Sequence, residues 1–315
     1  MSRGAIALTA LSMSDELTFD LSLPGRTDAC IAVSPLVRRV VASNAGPTTF
    51  TGTCSYIVGR GQVAILDPGP DVPEHVAALL AAVRGETVTH VLVSHTHRDH
   101  SPAARPIQAA TGAAIIGCGP HRKARPLGLG EVNHLEGSAD RDYRPDQELR
   151  EGESVEGPDW RLTAVETPGH TANHLCFALP EEQALFSADH VMAWATPFIG
   201  PPDGSMRDYM ASLDKLRGRA ETIYWPGHGG PVREPQRFVR ALIHHRRQRE
   251  ASILGRLAAG DRTVAAIVPA IYQGLAPALV GAAGFSVFAH LEDLVSRGIV
   301  ATDGPPTLDA EYRLA

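Results

Sequence analysis

Residues 95–100 read His95-Thr96-His97-Arg98-Asp99-His100 and follow directly on Ser94. Three imidazoles and a carboxylate within six positions would repel one another as cations and compete for partners as neutral groups. Each histidine alone would be an ordinary hydrogen-bonded polar residue, but a bound cation resolves the conflict for all of them. Neutral imidazole and carboxylate are borderline-to-hard donors of the kind that hold zinc. His95 and His97 alternate and can share one face of a strand end, while Asp99 and His100 point past the next turn. That spacing suits two adjacent cation sites better than one. Three later segments each place one ligand-type residue just after an apolar run: Thr167-Pro168-Gly169-His170-Thr171, Ser187-Ala188-Asp189 and Trp225-Pro226-Gly227-His228-Gly229. Glycine beside His170 and His228 lets the backbone turn sharply and approach a cation closely.

The elements needed to carry these residues are legible in the hydrophobic pattern. Short strands are predicted at 30–33, 53–58 and 62–66, with a hairpin turn at Gly59-Arg60-Gly61. Val72, Val76, Leu79, Leu80 and Val83 recur at helical spacing over 71–84. The run Val88 to Ser94 is almost wholly apolar or β-branched, as expected of a strand buried on both faces. Ser101-Pro102 reads as an N-cap followed by proline at the first helical position. Further strands are expected at 113–117, 161–167, 175–179, 184–187 and 222–225, and helices at 205–217 and 234–259. Strands and helices intermingle, which predicts an α/β or α+β layered domain. From Thr263 the pattern changes to helices near 263–272 and 285–297, a turn at Gly304-Pro305-Pro306, and apolar Tyr312 and Leu314. This predicts a small unit ending in a two-stranded wing. The domain boundaries are set at 1–250 and 251–315.

The chain has 315 residues, 29 Lys+Arg against 35 Asp+Glu, a net charge of −6, 43% hydrophobic residues and mean hydropathy −0.08. This balance excludes disordered and fibrous classes. No uninterrupted apolar run approaches the roughly 20 residues of a membrane span, and the stretch 5–11 is followed by Asp15 and Glu16, so neither a membrane partner nor a signal peptide is expected. Cys30, Cys54, Cys118 and Cys176 have no paired spacing, which points to free thiols and a cytoplasmic location. The C-terminal unit carries four arginines against six acidic residues. An acidic unit lacks the phosphate-neutralising surface that DNA binding requires, so packing or homodimer formation is its expected role.

In this order the motifs resemble those of the metallo-β-lactamase-fold hydrolases. The match runs over 67–228 and takes in Asp67 of Leu66-Asp67-Pro68-Gly69, then His95, His97, Asp99, His100, His170, Asp189 and His228. The resemblance implies a four-layer αββα sandwich with the site at one edge of its two sheets. It further implies that His95, His97 and His170 hold one metal and Asp99, His100 and His228 the other. Asp189 would bridge the two, and Asp67 would orient a ligand histidine. Two Zn2+ are the implied cofactors, with iron or manganese left open. The segment His245 to Glu250 and the helical tail are similar to the lactamase-beta-2-like branch, which appends a winged-helix-like domain. Asp189 stands where the best-known zinc β-lactamases carry Cys, and His100 where they carry Arg. Both differences point away from antibiotic hydrolysis and toward the glyoxalase II and RNase Z arrangement.

The expected chemistry is hydrolysis by a hydroxide held between two metals, with Asp99 orienting it and His174 considered as an acid for the leaving group. The narrower resemblance leans to RNA phosphodiester cleavage. Arg122 and Lys123, in the basic stretch 121–125, and Tyr209 are the candidate substrate contacts, with Arg246, Arg247 and Arg249 as a further basic cluster. The alternative is thioester hydrolysis, as in glyoxalase II or acyl-carrier thioesterases. It agrees with the acidic net charge and with a chain only 5% aromatic, which offers few rings for bases to stack on. An iron-dependent oxidoreductase and a non-catalytic metal-binding regulator are the remaining readings.

Overall fold

The structure, a computed structural model, describes residues 17–23, 26–128 and 131–315. The apolar stretch 5–11 lies outside them. Two sheets face one another. The first has the order β1 (Ile31–Ala32), β2 (Val37–Val41), β3 (Cys54–Arg60), β4 (Gln62–Leu66), β5 (Thr87–Val93), β6 (Ala114–Gly117) and β7 (Gln147–Glu148). The second comprises β8 (Ser154–Glu156), β9 (Arg161–Glu166), β10 (Leu175–Leu179), β11 (Ala184–Ala188) and β12 (Ile223–Pro226), in the order β12-β11-β10-β9-β8. Between them lies a core to which Ile57, Ile65 and Val91 contribute from one side and Leu162, Phe177 and Phe186 from the other.

Helices cover both outer faces. α1 (Pro73–Ala82) and α2 (Ala104–Thr111) supply Leu79 and Ile107 against the first sheet. α3 (Met206–Arg217) and α4 (Pro235–Ala258) pack Tyr209, Leu213, Val239 and Leu242 against Cys176 and Leu185 of the second. β10 is therefore buried on both faces, and alternate residues enter different cores. The result is the expected αββα sandwich. A third core joins the end of α4 (Ile253, Leu257) to α5 (Val264–Ile271), α6 (Val280–Ser296), β13 (Val300–Thr302) and β14 (Tyr312–Leu314). The last two strands pair antiparallel as the expected wing. α4 runs unbroken through residue 250 and belongs to two cores at once.

Several local expectations need correction. Ser101 does not cap a helix: its Oγ donates to Asp140 Oδ2 at 2.7 Å, the chain turns through 101–103, and α2 begins at Ala104. Strand β2 escapes the pattern because Arg38 and Arg39 interrupt its valines. Arg38 is paired with Glu86 at 2.7 Å, and Arg39 is 1% exposed. α6 starts at Val280, five residues earlier than its pattern indicates. With the turn before it, the segment Pro277–Ser296 has the length and hydropathy, 1.4, of a membrane span. Its Val287, Leu291 and Leu294 nevertheless build the C-terminal core.

Both sheets end in hairpins at the pole opposite the histidine loop, where Trp160 joins them. A Cβ at Gly59 or Gly157 would stand 2.2 Å from its ring, and Nε1 donates to Gln62 O at 2.9 Å. Trp160→Ala is expected to lower unfolding free energy by about 3–5 kcal/mol in urea denaturation while leaving metal stoichiometry unchanged. Parallel loss of metal from the folded variant would contradict the separation of the two poles.

Candidate metal centre

The strand ends of both sheets meet at one edge, and each delivers a ligand-type residue there. Asp67 follows β4 with φ 47°, and Asp189 follows β11 through Ala188 at φ 42°. These left-handed conformations are costly for non-glycine residues and turn both carboxylates inward. Gly169, at φ 144°, precedes His170, and a Cβ on it would meet Tyr209 Cα at 2.4 Å.

Seven side chains converge in two sets that share Asp189. In the first, His95 Nε2 lies 3.1 Å from His97 Nδ1, and His97 Nδ1 lies 2.9 Å from His170 Nε2. Asp189 Oδ2 is 3.6 Å from His170 Nε2 and 4.0 Å from His95 Nε2. In the second, Asp99 Oδ2 is 3.5 Å from His100 Nε2 and 3.2 Å from His228 Nε2, while the two imidazoles stand 3.3 Å apart. Asp189 reaches both, Oδ1 to His100 at 3.5 Å and Oδ2 to His228 at 3.4 Å. Tetrahedral zinc with arms of about 2.0–2.1 Å separates its donors by roughly 3.3 Å, so both sets fit a divalent cation. Two further observations agree. Asp189 Oδ1 is buried without a hydrogen-bond partner, and a Cβ at Gly227 would fill the space 2.4 Å from it.

Four imidazoles are fixed through their other nitrogen, which leaves Nε2 for a cation. His95 Nδ1 donates to Ser94 Oγ at 3.0 Å and His100 Nδ1 to Asp67 Oδ2 at 3.0 Å. His170 Nδ1 donates to Phe198 O at 2.6 Å and His228 Nδ1 to Gly52 O at 3.3 Å. Asp67 also accepts from Ser94 N and Oγ, both at 2.7 Å, and so holds the start of the histidine loop as well as His100. The two backbone carbonyls, and Thr53 Oγ1 at 3.5 Å from Asp99 Oδ2, are parts of the site that sequence reasoning missed. A carbonyl leaves no mark on residue type.

Electrostatics divides the imidazoles. Burial, reinforced by His100, keeps His95 neutral, and burial together with His170 lowers His97 to about 3. Burial also lowers His170. For His100 and His228 burial acts in the same sense but is outweighed by Asp99 and Asp189, so that His100 is raised and His228 reaches about 9. Burial alone would raise Asp99 and Asp189, yet His100 and His228 hold both carboxyls below their ordinary range.

The remaining candidates are dispersed. His174 is buried, with Nδ1 on Thr167 Oγ1 at 2.9 Å, Nε2 unpartnered and its ring 5.1 Å from that of His95. Burial and His190 hold it neutral. With Arg122 it lines a cleft of about 580 Å³ between the sheet edges. Arg122 donates to Ala172 O at 2.9 Å, and Lys123 is half-buried. Tyr209 is fully buried, its hydroxyl donating to His190 O at 3.3 Å, and so presents nothing to a substrate. Arg125 is clamped between Glu131 and Glu292, Arg246 is 3% exposed, and Arg249 lies over the Tyr272 ring at 4.0 Å. Arg125, Arg246 and Arg249 are therefore engaged within the protein, while Arg122 and Arg247 remain exposed.

Residues 47–228 match the model of the metallo-beta-lactamase superfamily, and 263–305 that of the beta-lactamase associated winged helix domain. The chain belongs to the metallo-beta-lactamase superfamily. Among curated relatives it is 34% identical over 230 residues to an atrochrysone carboxyl ACP thioesterase of Aspergillus fumigatus, covering 70% of this chain and 65% of that one. It is 31% identical over 226 residues to the beta-lactamase-like protein 2 homolog of Caenorhabditis elegans, covering 70% and 71%. The chain spans about two thirds of the length of such relatives, with 66% for an Aspergillus terreus thioesterase of the first name. A metallo-beta-lactamase family protein from Thermus thermophilus shares the fold, with TM-score 0.72, 23% identity and coverage of 90% of this chain and 100% of that one. So does a beta-lactamase domain protein from Burkholderia ambifaria, with TM-score 0.76, 19% identity and coverage of 97% and 99%.

Cation binding requires neutral imidazoles, so uptake must displace the proton that His228 retains up to about pH 9 in the cation-free protein. Zinc affinity is expected to rise from pH 6 to 9, and the calorimetric binding enthalpy at pH 7 to vary with the ionisation enthalpy of the buffer. Buffer-independent heats together with a flat pH profile would contradict this charge assignment.

Proposed function

We propose that the protein is a dinuclear zinc hydrolase acting on acyl thioesters. The observation that carries this reading is the state of the groups that RNA cleavage would need. Arg125, Arg246 and Arg249 are engaged internally, and the two histidines beside the ligand set, His174 and His190, are held neutral by burial. A ribose alkoxide is a poor leaving group that calls for a proton donor. A thiol, with a pKa near about 8.5, departs as the thiolate without one. Relatives named as acyl-carrier thioesterases support the same choice.

His95, His97 and His170 with Asp189, and Asp99, His100 and His228 with Asp189, would hold divalent cations, whose Lewis acidity would make water a nucleophile near neutral pH and polarise the carbonyl. The chain's own part is to orient. Asp99, with 26% of its side chain exposed, is the most open carboxylate of the set and accepts a hydrogen bond from the attacking water. Asp189 keeps the two ligand sets at a fixed separation. Water adds to the carbonyl carbon, the C–S bond breaks, and the products are a carboxylic acid and a thiol. Phe50 and Trp194 stack at 5.0 Å and are partly exposed, and Trp194 stands against Gly229, the residue after His228. This pair forms an apolar wall for the acyl group.

The direct test offers the zinc-loaded protein a labelled acyl thioester and a labelled single-stranded RNA. Thioester hydrolysis that falls at least about 100-fold in Asp99→Asn is expected, with no RNA cleavage. Asp99-dependent RNA cleavage without thioester turnover would overturn the reading. Trp194→Ala is expected to raise KM for an aromatic or long-chain acyl thioester by about tenfold with a smaller change in kcat. An unchanged KM would remove Trp194 from the acyl site.

A further inference from the structure

Arg246 sits midway along α4, 3% exposed, with no carboxylate paired to it among the described residues. Its neighbours on the inner face of the helix, Val239, Leu242 and Ile243, are apolar. A buried guanidinium without a counter-charge is costly, and an apolar side chain would satisfy the packing. What Arg246 touches gives its presence a reason. It donates to Pro197 O and, at 3.4 Å, to Ser286 Oγ, and its guanidinium lies 5.3 Å from the centre of the Tyr209 ring.

Each of these contacts leads to the first ligand set. Pro197 precedes Phe198, whose carbonyl takes the Nδ1 proton of His170 at 2.6 Å. Tyr209 presses on Gly169, the residue before His170, where a Cβ would stand 2.4 Å from Tyr209 Cα. The Tyr209 hydroxyl also donates to the carbonyl of His190, the residue after Asp189, at 3.3 Å. Ser286 belongs to α6 of the C-terminal unit, and the neighbouring Phe285 sets its ring edge-on to Phe198 at 6.1 Å. The Pro197-Phe198 segment, which carries the carbonyl that fixes the His170 imidazole, is thus contacted by α4 through the Pro197 carbonyl and by the winged-helix unit through the Phe198 ring. The Tyr209 route ends beside Asp189, which both sets share, whereas the route through Pro197 and Phe198 ends at His170, a member of the first set alone.

We propose that Arg246 is a positioning residue through which the C-terminal unit sets the cation affinity of the His95, His97, His170 and Asp189 set. The proposal rests on the reading of this edge as a metal centre. Arg246 pins Pro197-Phe198, the Phe198 carbonyl fixes the tautomer and rotation of His170, and Nε2 is aimed before a cation arrives. Without the guanidinium, the carbonyl and the imidazole must be ordered at the moment of binding, which weakens the His170 site more than the other.

The test is zinc titration of the metal-free full-length protein against a chromophoric chelator, with thermal melts alongside. Wild type is expected to bind two zinc ions. Arg246→Met should weaken one site by about 10- to 100-fold and leave the other within about threefold. Arg246→Lys, which can still donate to Pro197 O, should recover much of that loss at a similar melting temperature. His170→Ala identifies the affected site, and adding Arg246→Met to it should cause no further loss at the remaining one. If Arg246→Met does not fold, Phe285→Ala carries the test, with the same site weakened by about tenfold. Two sites that weaken equally, or affinities that stay unchanged while the melting temperature falls, would overturn the proposal by reducing Arg246 to a packing residue. A wild-type chain that takes up no zinc would overturn the metal-centre reading as well.

Discussion

The structure turns on the convergence of five imidazoles and two carboxylates at one sandwich edge, with Asp189 shared between the two ligand sets. Nitrogen lone pairs brought to between 2.9 and 3.3 Å of one another repel unless something positive lies between them. A proton relieves this only in part, and the two halves of the cluster differ in how far it does. His100 and His228, beside Asp99 and Asp189, retain protons, while His95, His97 and His170 are held neutral. Cations resolve both halves at once. The left-handed backbone at Asp67 and Ala188, the glycines at 169 and 227, and the buried hydrogen bonds to Nδ1 all make sense as means of holding that arrangement.

The sandwich supplies the rigidity. The ligand-bearing loops leave the ends of strands packed in the sandwich, so the cost of ordering the loops is met by cores remote from the chemistry. The outer layer is not passive. α3 touches Gly169 and the carbonyl of His190, and α4 passes from the sandwich into the winged-helix unit while contacting the loop that fixes His170. A C-terminal unit with acidic net charge thereby acquires a role in the centre itself.

Much of the fold and most of the site were legible in the sequence because the residues carrying them differ in type from their surroundings. His95 to His100 is a local motif, and His170, Asp189 and His228 each follow an apolar run that has to be a strand. The wing and the helices at 205–217 and 234–259 announced themselves through the spacing of their apolar residues. Strand β2 was hidden because two arginines interrupt its valines, Arg38 held by Glu86, distant in sequence, and Arg39 buried. The supports of the site were hidden for a different reason. Phe198 and Gly52 act through backbone carbonyls, and Arg246 looked like one member of a solvated arginine run. Tyr209 pointed toward substrate only until its burial was seen. Local spacing does not reveal which side of α4 meets α6 and the 194–204 loop.

The central claim is that this edge binds two cations astride Asp189, and anomalous scattering from crystals of the zinc-loaded protein tests it most directly. The account expects two zinc peaks separated by about 3.5–4 Å, one ligated by His95, His97 and His170 and the other by Asp99, His100 and His228, with Asp189 between them. A single peak, or two peaks that do not share Asp189, would contradict it.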